Sequence, residues 1–364
     1  MYKNQPEIQN VAVLLFYSKV IIDNCSLLSK LNIYTITQQF FHFPVLNSER
    51  YYYLCPNSNA MHLNVKNETS TLRAVVLGQP GSIGNVPPID KTFDAKSYES
   101  VLNGVYPCED AIYKEMSAFE KVLLKYNVQV FRPWTLENCN QVFARDVAFV
   151  IDDKIINCNI IPDREDEKEA YEVIYDHIPY NKIYNLPEKA HVEGGDVVLY
   201  NDIVFVGLYT KPDYPQLKTA RTNLYAFNFL KEIIPEKTFI PMELNKHDTN
   251  PHNGALHLDC TFMPVGHGKV ILYKDGFSNP KDYHTLLDMF GKPNVFEITR
   301  EEMYYMNANV FSISPTVVVS EQRFTRLNDH LENCWGLTVE CVPYFEISKM
   351  GGLLRCSTLP LVRE

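Results

Sequence analysis

Apolar positions along this chain recur in a fixed order. Two short apolar runs flank a polar turn, a run at helical spacing follows, and one more apolar run closes the group. The clearest helix is predicted over 109–126, where Ile112, Met116, Phe119, Val122 and Leu123 fall near a 3.6-residue period. It sits between predicted strands at 72–77 and 128–131. A second group pairs 147–150 with 154–157 across Asp152-Asp153, a plausible hairpin turn, and runs into a predicted helix at 164–178 capped by Asp163. A third pairs 196–199 with 203–207 across Asn201-Asp202, with a helix near 217–232. A fourth pairs 260–265 with 269–273 across Gly266-His267-Gly268, with a helix near 281–290. A fifth pairs 310–314 with 317–320 across Pro315, with a helix near 323–334 and a strand at 337–342. Five units of about 50 residues predict an α/β array closed on itself with pseudo-fivefold symmetry. Repeated hairpins argue against an all-parallel sheet, because hairpin strands are antiparallel.

Residues 1–60 stand apart. They are rich in Tyr, Phe, Asn and Ser and show no clean period. They are read as a loosely attached extension ahead of a single domain at 61–364, with Met61 as an alternative natural start.

Composition narrows the class. The chain has 364 residues, 46% hydrophobic and 21% charged, which suits a globular protein with a substantial core. Lys+Arg number 34 and Asp+Glu 44, a net charge of −10 without any basic block, so nucleic acid is not an expected partner. No apolar run reaches the length of about 18 residues that a membrane helix requires, and none is expected. The nine cysteines include no C-x-x-C pair. That disfavours a structural zinc site or a secreted disulfide framework and favours a reducing cytoplasm, with most cysteines buried and inert.

Four stretches carry candidate chemistry, each at the edge of a unit. They are Asn140-Gln-Val-Phe143-Ala-Arg145-Asp146, His191-Val-Glu193-Gly-Gly-Asp196, Leu256-His257-Leu-Asp259-Cys260, and Gly351-Gly-Leu-Leu-Arg355-Cys356-Ser-Thr-Leu-Pro360. The first three precede a hairpin and the last ends the fifth unit. In a closed array these edges gather at one end of the axis. A cysteine, a histidine and a carboxylate make a nucleophile, an acid/base and an orienting group. Asp146 and Asp259 add carboxylates, and no basic residue is obviously assigned to neutralise them all. An acidic pocket around a thiol suits a cation, and a planar guanidinium best, because carboxylates grip it bidentately.

In their order and spacing these residues resemble the guanidino-group-modifying enzymes over about 72–364. Within that superfamily the chain looks most like arginine deiminase, on Asn140-x-x-Phe143-x-Arg145-Asp146, Glu193-Gly-Gly-Asp196, His257-Leu-Asp259 with Phe262, and Gly351-Gly-x-x-Arg355-Cys356-x-Thr-x-Pro360-Leu361. The resemblance implies a five-bladed α/β propeller, the pentein fold. It implies Cys356 as nucleophile, His257 as general acid and then base, and Glu193 as the group that orients His257. Asp146 and Asp259 would hold the guanidinium, Phe143 would pack on the substrate stem, and Asn140 and Arg221 would hold an amino acid's α-groups. It implies a small guanidino substrate and neither metal nor organic cofactor, and it leaves homo-oligomerisation open.

Two reactions remain open. The chain is too short for the extra helical insertion of arginine deiminases, and Met350 stands where they have an arginine ahead of Gly-Gly. Its His257-Leu-Asp-Cys-Thr-Phe262 is shared with glycine and inosamine amidinotransferases. Hydrolysis and amidino transfer share their steps up to a covalent thiouronium on Cys356. A non-catalytic binding protein of this fold would not need the Cys/His/Glu set. A cysteine protease would not crowd its thiol with carboxylates.

Overall fold

The hairpin turns form where the chain offers residues that tolerate a left-handed backbone. In the computed structural model, which describes residues 61–364, Asp152 (φ 51°), Asn201 (55°) and Gly266 (56°) each reverse the chain between two strands. The 1–60 extension lies outside the described residues.

Five three-stranded sheets result among the described residues, all built alike. In each, a middle strand is antiparallel to one neighbour and parallel to the other. Strand β4 (Lys154–Asn157) lies between β3 (Ala148–Ile151) and β5 (Ile183–Asn185). Strand β7 (Ile203–Leu208) lies between β6 (Val197–Tyr200) and β8 (Thr238–Glu243). Strand β10 (Lys269–Leu272) lies between β9 (Phe262–Val265) and β11 (Val295–Glu297). Strand β13 (Val317–Glu321) lies between β12 (Phe311–Ser314) and β14 (Thr338–Val342). The leading strand of each hairpin is almost wholly buried, as in β3 and β9. The third strands β5 and β11 are part-exposed. Burial thus falls from the first strand to the third, which places the core at the leading strands.

The first unit looked irregular in sequence because half of its hairpin is elsewhere. Strand β1 (Leu72–Leu77) is parallel to β2 (Gln129–Phe131), and its antiparallel partner is β15 (Thr358–Arg363), with Val75 opposite Pro360 and Leu77 opposite Thr358. The Cys356 stretch therefore does not end the fifth unit. Like the other three, it leads into the antiparallel pair of a sheet.

Three helices differ from expectation. The predicted 164–178 helix is a 3₁₀ segment over Pro162–Tyr171 with a single α-turn at Glu172–Tyr175. Asp163 does not cap it; its Oδ1 accepts from Lys218 Nζ at 2.9 Å. In 3₁₀ geometry residues i and i+3 eclipse, which sets Arg164 and Glu167 side by side. The 217–232 helix starts only at Leu224, where the Asn223 side chain accepts from Ala226 N–H. The last splits into Thr325–Asp329 and a π-turn at His330–Cys334. By contrast Glu109–Lys125 and Pro280–Phe290 form as predicted. Among the described residues no helix is long and apolar enough to cross a membrane. Of the seven cysteines described, only Cys158, Cys260 and Cys356 are buried, so among the described residues the expectation that most are buried does not hold; Cys25 and Cys55 lie outside them. Cys108 stands at an exposed helix start and Cys341 on the outer strand β14.

Candidate active site

Asp146 stands two residues before β3, Glu193-Gly-Gly-Asp196 runs directly into β6, and His257-Leu-Asp259 precedes β9. Short 3₁₀ turns at Gly194–Asp196 and Leu258–Cys260 set the latter two. His257, Glu193 and Asp259 have no solvent exposure.

The first group gathers around the imidazole. His257 Nε2 lies 2.8 Å from Glu193 Oε2, and Nδ1 lies 3.7 Å from Asp146 Oδ1. Nδ1 has no hydrogen-bond partner among the described residues. Burial alone would depress the His257 pKa, but Asp146, Asp196 and Glu193 outweigh it and raise it. Burial would likewise raise Glu193, but Arg221, His257 and Arg164 hold it well below the usual carboxylate range. Gly195 allows this packing: a Cβ there would lie 2.5 Å from His257 Nδ1. Its N–H donates to Asp146 Oδ1 at 3.3 Å.

The second group gathers around the thiol. Cys356 Sγ lies 3.7 Å from Asp259 Oδ2, and its carbonyl accepts from Arg145 N–H at 2.9 Å. That backbone bond sets the thiol segment beside Asp146. Burial, then Asp259 and Asp146, push the thiol pKa well up. The imidazole group and the thiol group are thus joined through Arg145-Asp146 and through His257-Leu-Asp259.

The other expected residues are placed as follows. The Phe143 ring packs on Gly352, where a Cβ would come within 2.3 Å of it. Asn140 is half-buried, and its Nδ2 meets Met350 Sδ at 3.6 Å. Arg221 lies outside the helix and is buried. Its Nη1 is 2.6 Å from Glu193 Oε2, Nη2 donates to Phe93 O at 2.6 Å, and Nε donates to Lys218 O.

One expectation is overturned: the carboxylates are not left without basic partners. Arg164 Nη1 is 2.7 Å from Asp146 Oδ2, and Arg164 also pairs with Glu167 at 2.6 Å. Arg355 Nη1 is 2.9 Å from Asp259 Oδ2, and its Nη2 is 2.8 Å from Glu68 Oε1. Nothing in the linear charge pattern marks Arg164, which sits in a charged run that reads as a solvated face. Arg355 was visible only as a neighbour of Cys356. Each aspartate meets its arginine through Oδ2; Asp146 Oδ1 accepts from Gly195 N–H, and Asp259 Oδ1 lies 3.7 Å from the Cys260 sulfur. Asp146, Glu193 and His257 hold ligand atoms within 4.8 Å of one another. A metal ion there would meet the guanidinium groups that already neutralise both carboxylates.

Glu68 makes a measurable prediction. Burial would raise its pKa, but Arg355, Arg145 and Arg363 lower it to about 2. A depressed folded pKa contributes stability that is full above the ordinary carboxylate value and lost as pH falls toward about 2. That contribution is about 3 kcal/mol. Denaturant midpoints from pH 5.5 to 2.5 should fall more steeply for the native chain than for Glu68→Gln.

The profile of the N,N dimethylarginine dimethylhydrolase family, eukaryotic, matches residues 106–363. The uncharacterized protein YkgA of Bacillus subtilis (strain 168) is 28% identical over 301 residues, covering 82% of this chain and 94% of that protein. The arginine deiminase of Treponema denticola is 24% identical over 229 residues, and the match spans about half of each protein, 53%. Among solved structures, SxtG, an amidinotransferase from Microseira wollei, superposes with a TM-score of 0.63 at 18% identity over 83% of this chain and 97% of that one.

Proposed function

This chain belongs to the eukaryotic N,N dimethylarginine dimethylhydrolase family, and from that premise we propose that it hydrolyses a guanidino compound through a covalent intermediate on Cys356. The observation that carries the reading is one buried constellation: the Cys356 thiol 3.7 Å from Asp259, and the His257 imidazole 2.8 Å from Glu193 and 3.7 Å from Asp146. The five sheets are read as blades about one axis, with the unit edges that hold these residues at one end.

Asp146 and Asp259 hold the substrate guanidinium through the Oδ1 atoms that Arg164 and Arg355 do not engage. The Cys356 thiolate attacks its central carbon, forming an S–C bond. His257, favoured in its protonated form by the surrounding carboxylates, gives a proton to the leaving nitrogen as the C–N bond breaks. Glu193 holds Nε2, so the unpartnered Nδ1 is the atom that moves the proton. The neutral imidazole then takes a proton from water, whose oxygen attacks the thiouronium carbon, and the C–S bond breaks. The products are a ureido compound and an amine, which leaves as its ammonium ion with the proton the hydroxyl gives up, and the Cys356 thiolate and protonated His257 are restored. Ammonia leaves if the substrate nitrogen is bare, an alkylamine if it is substituted.

The test is incubation with arginine and with a methylated arginine, each with and without an amine acceptor. A ureido product plus ammonia or alkylamine supports hydrolysis. A new guanidino compound formed only with the acceptor would instead establish amidino transfer. Turnover of neither substrate, with no covalent adduct on Cys356, would sink the reading.

Gly195→Ala probes the proton-moving group without touching a titratable side chain. The added methyl displaces the His257 ring, and misplacing a catalytic group by about 1 Å costs on the order of a hundredfold. We expect kcat/KM to fall by about that factor, read beside a thermal melt.

A further inference from the structure

Four of the five sheets are entered through a residue the proposed reaction uses: Asp146 before β3, Glu193 before β6, Asp259 before β9 and Cys356 before β15. The remaining sheet begins with β12 at Phe311, and the stretch ahead of it is Asn307-Ala308-Asn309. Asn309 stands two residues before its strand, as Asp146 and Cys356 do before theirs.

The Asn309 side chain has no solvent exposure and spends both ends on one residue. Its Oδ1 accepts from the Cys356 backbone N–H at 3.1 Å, which fixes which way the amide points. Its Nδ2 then donates to Cys356 Sγ at 3.2 Å. The Asn309 carbonyl accepts from Arg355 N–H at 3.4 Å. Two of these three bonds tie the loops together. The Nδ2 contact is different, because it reaches the reacting atom.

We propose that Asn309 is a catalytic residue of this site, donating a hydrogen bond to the Cys356 sulfur that stabilises its thiolate and aims it; the assignment rests on Cys356 being the nucleophile. The thiol needs such a donor. Burial opposes its ionisation most, followed by Asp259, Asp146 and the Cys260 thiol, while a backbone interaction at Leu353 works the other way. Arg355 and Arg145 stand nearby, but Arg355 is bound to Asp259 and Glu68, and Arg145 donates to the Arg355 carbonyl and Thr358 Oγ1. A hydrogen bond to a charged group changes an equilibrium by roughly ten- to a hundredfold.

Asn309→Asp separates donor from tether. It keeps an acceptor for the Cys356 N–H and the same shape, but replaces Nδ2 with an oxygen. The readout is the iodoacetamide alkylation rate of Cys356 in the unliganded protein, followed by the mass of its peptide from pH 6 to 10. We expect the midpoint of the Asn309→Asp profile to move up by about one pH unit or more. With a guanidino substrate, kcat at neutral pH should fall about ten- to a hundredfold, with KM changed less. An unshifted midpoint in folded Asn309→Asp overturns the proposal. If that variant does not fold, Asn309→Ser decides by the same readout, since its hydroxyl stops short of the sulfur. A shifted midpoint in a protein that turns over no guanidino compound would uphold Asn309 as the thiol's donor and overturn only the hydrolase reading.

Discussion

Cys356→Ser should abolish turnover, by at least about a thousandfold, while the fold and ligand binding persist. An alcohol is far less nucleophilic than a thiol at neutral pH, and losing a nucleophile is among the costliest single changes in an enzyme. The substitution removes little else. The side chain is small, and the backbone bonds at Cys356, from its N–H to Asn309 and from Arg145 to its carbonyl, do not involve the sulfur. Steady-state assays beside calorimetry with a guanidino ligand and a thermal melt check all three claims. Full turnover in the folded serine variant would remove Cys356 from the mechanism. Asp259→Asn is a less clean partner experiment than it first looks. It weakens the grip on a bound cation, but it also strips Arg355 of a partner 2.9 Å away, so weaker binding should come with a lower melting temperature.

The second large effect is on stability. Arg355→Met should cost about 3–5 kcal/mol, because it leaves buried carboxylates without their cation. Arg355 is fully buried and bridges Glu68, from the segment ahead of β1, to Asp259 beside the thiol. Its Nη2 also donates to Val197 O at 2.7 Å. One side chain thus links segments that precede β1, β9 and β15 to the first residue of β6. The expected readout is a melting temperature lower by on the order of 5–10 °C. An unchanged melt would mean that the remaining arginines, Arg145 and Arg363, already neutralise Glu68. The double variant Glu68→Gln, Arg355→Met should recover part of the loss, since it removes one of the stranded charges along with the cation.

What could be read from sequence follows a physical division. Hairpins whose turns carry Asp152, Asn201 and Gly266 were legible, because their backbone conformation selects residue type locally. So was the Glu109–Lys125 helix, whose buried face repeats at helical spacing. The 162–171 segment was not, because its 3₁₀ geometry is tied to the long-range Arg164–Asp146 ion pair rather than to local periodicity. Arg164 therefore reads as one charge among many. Strand β15 was hidden for a related reason: its partner is not the neighbouring run but one at the other end of the folded unit. The site divides the same way. Cys356, His257, Glu193, Asp146 and Asp259 stand in recognisable strings, whereas Asn309 and Glu68 stand in none. Their chemistry comes from placement, and a lone Asn or Glu in a polar stretch carries no such signal.

The pairing of β1 with β15 has a consequence for how the protein is made. Arg73 and Glu364 are 291 positions apart and form a 2.8 Å contact at the end of that pair. Four sheets can form as their strands emerge from the ribosome, since each draws on one local stretch of chain. The sheet adjoining the thiol must wait for a strand that lies nearly 291 positions downstream of β1, and such long-range closure is slow. Cys356, the proposed nucleophile, is thus the last of the proposed site residues to be synthesised and the last to be seated. Until then one side of β1 is an unpaired edge, the kind of surface that invites aberrant pairing during synthesis. Truncation within 358–363 should therefore leave the nascent chain prone to aggregation, rather than yield a stable protein with an incomplete site.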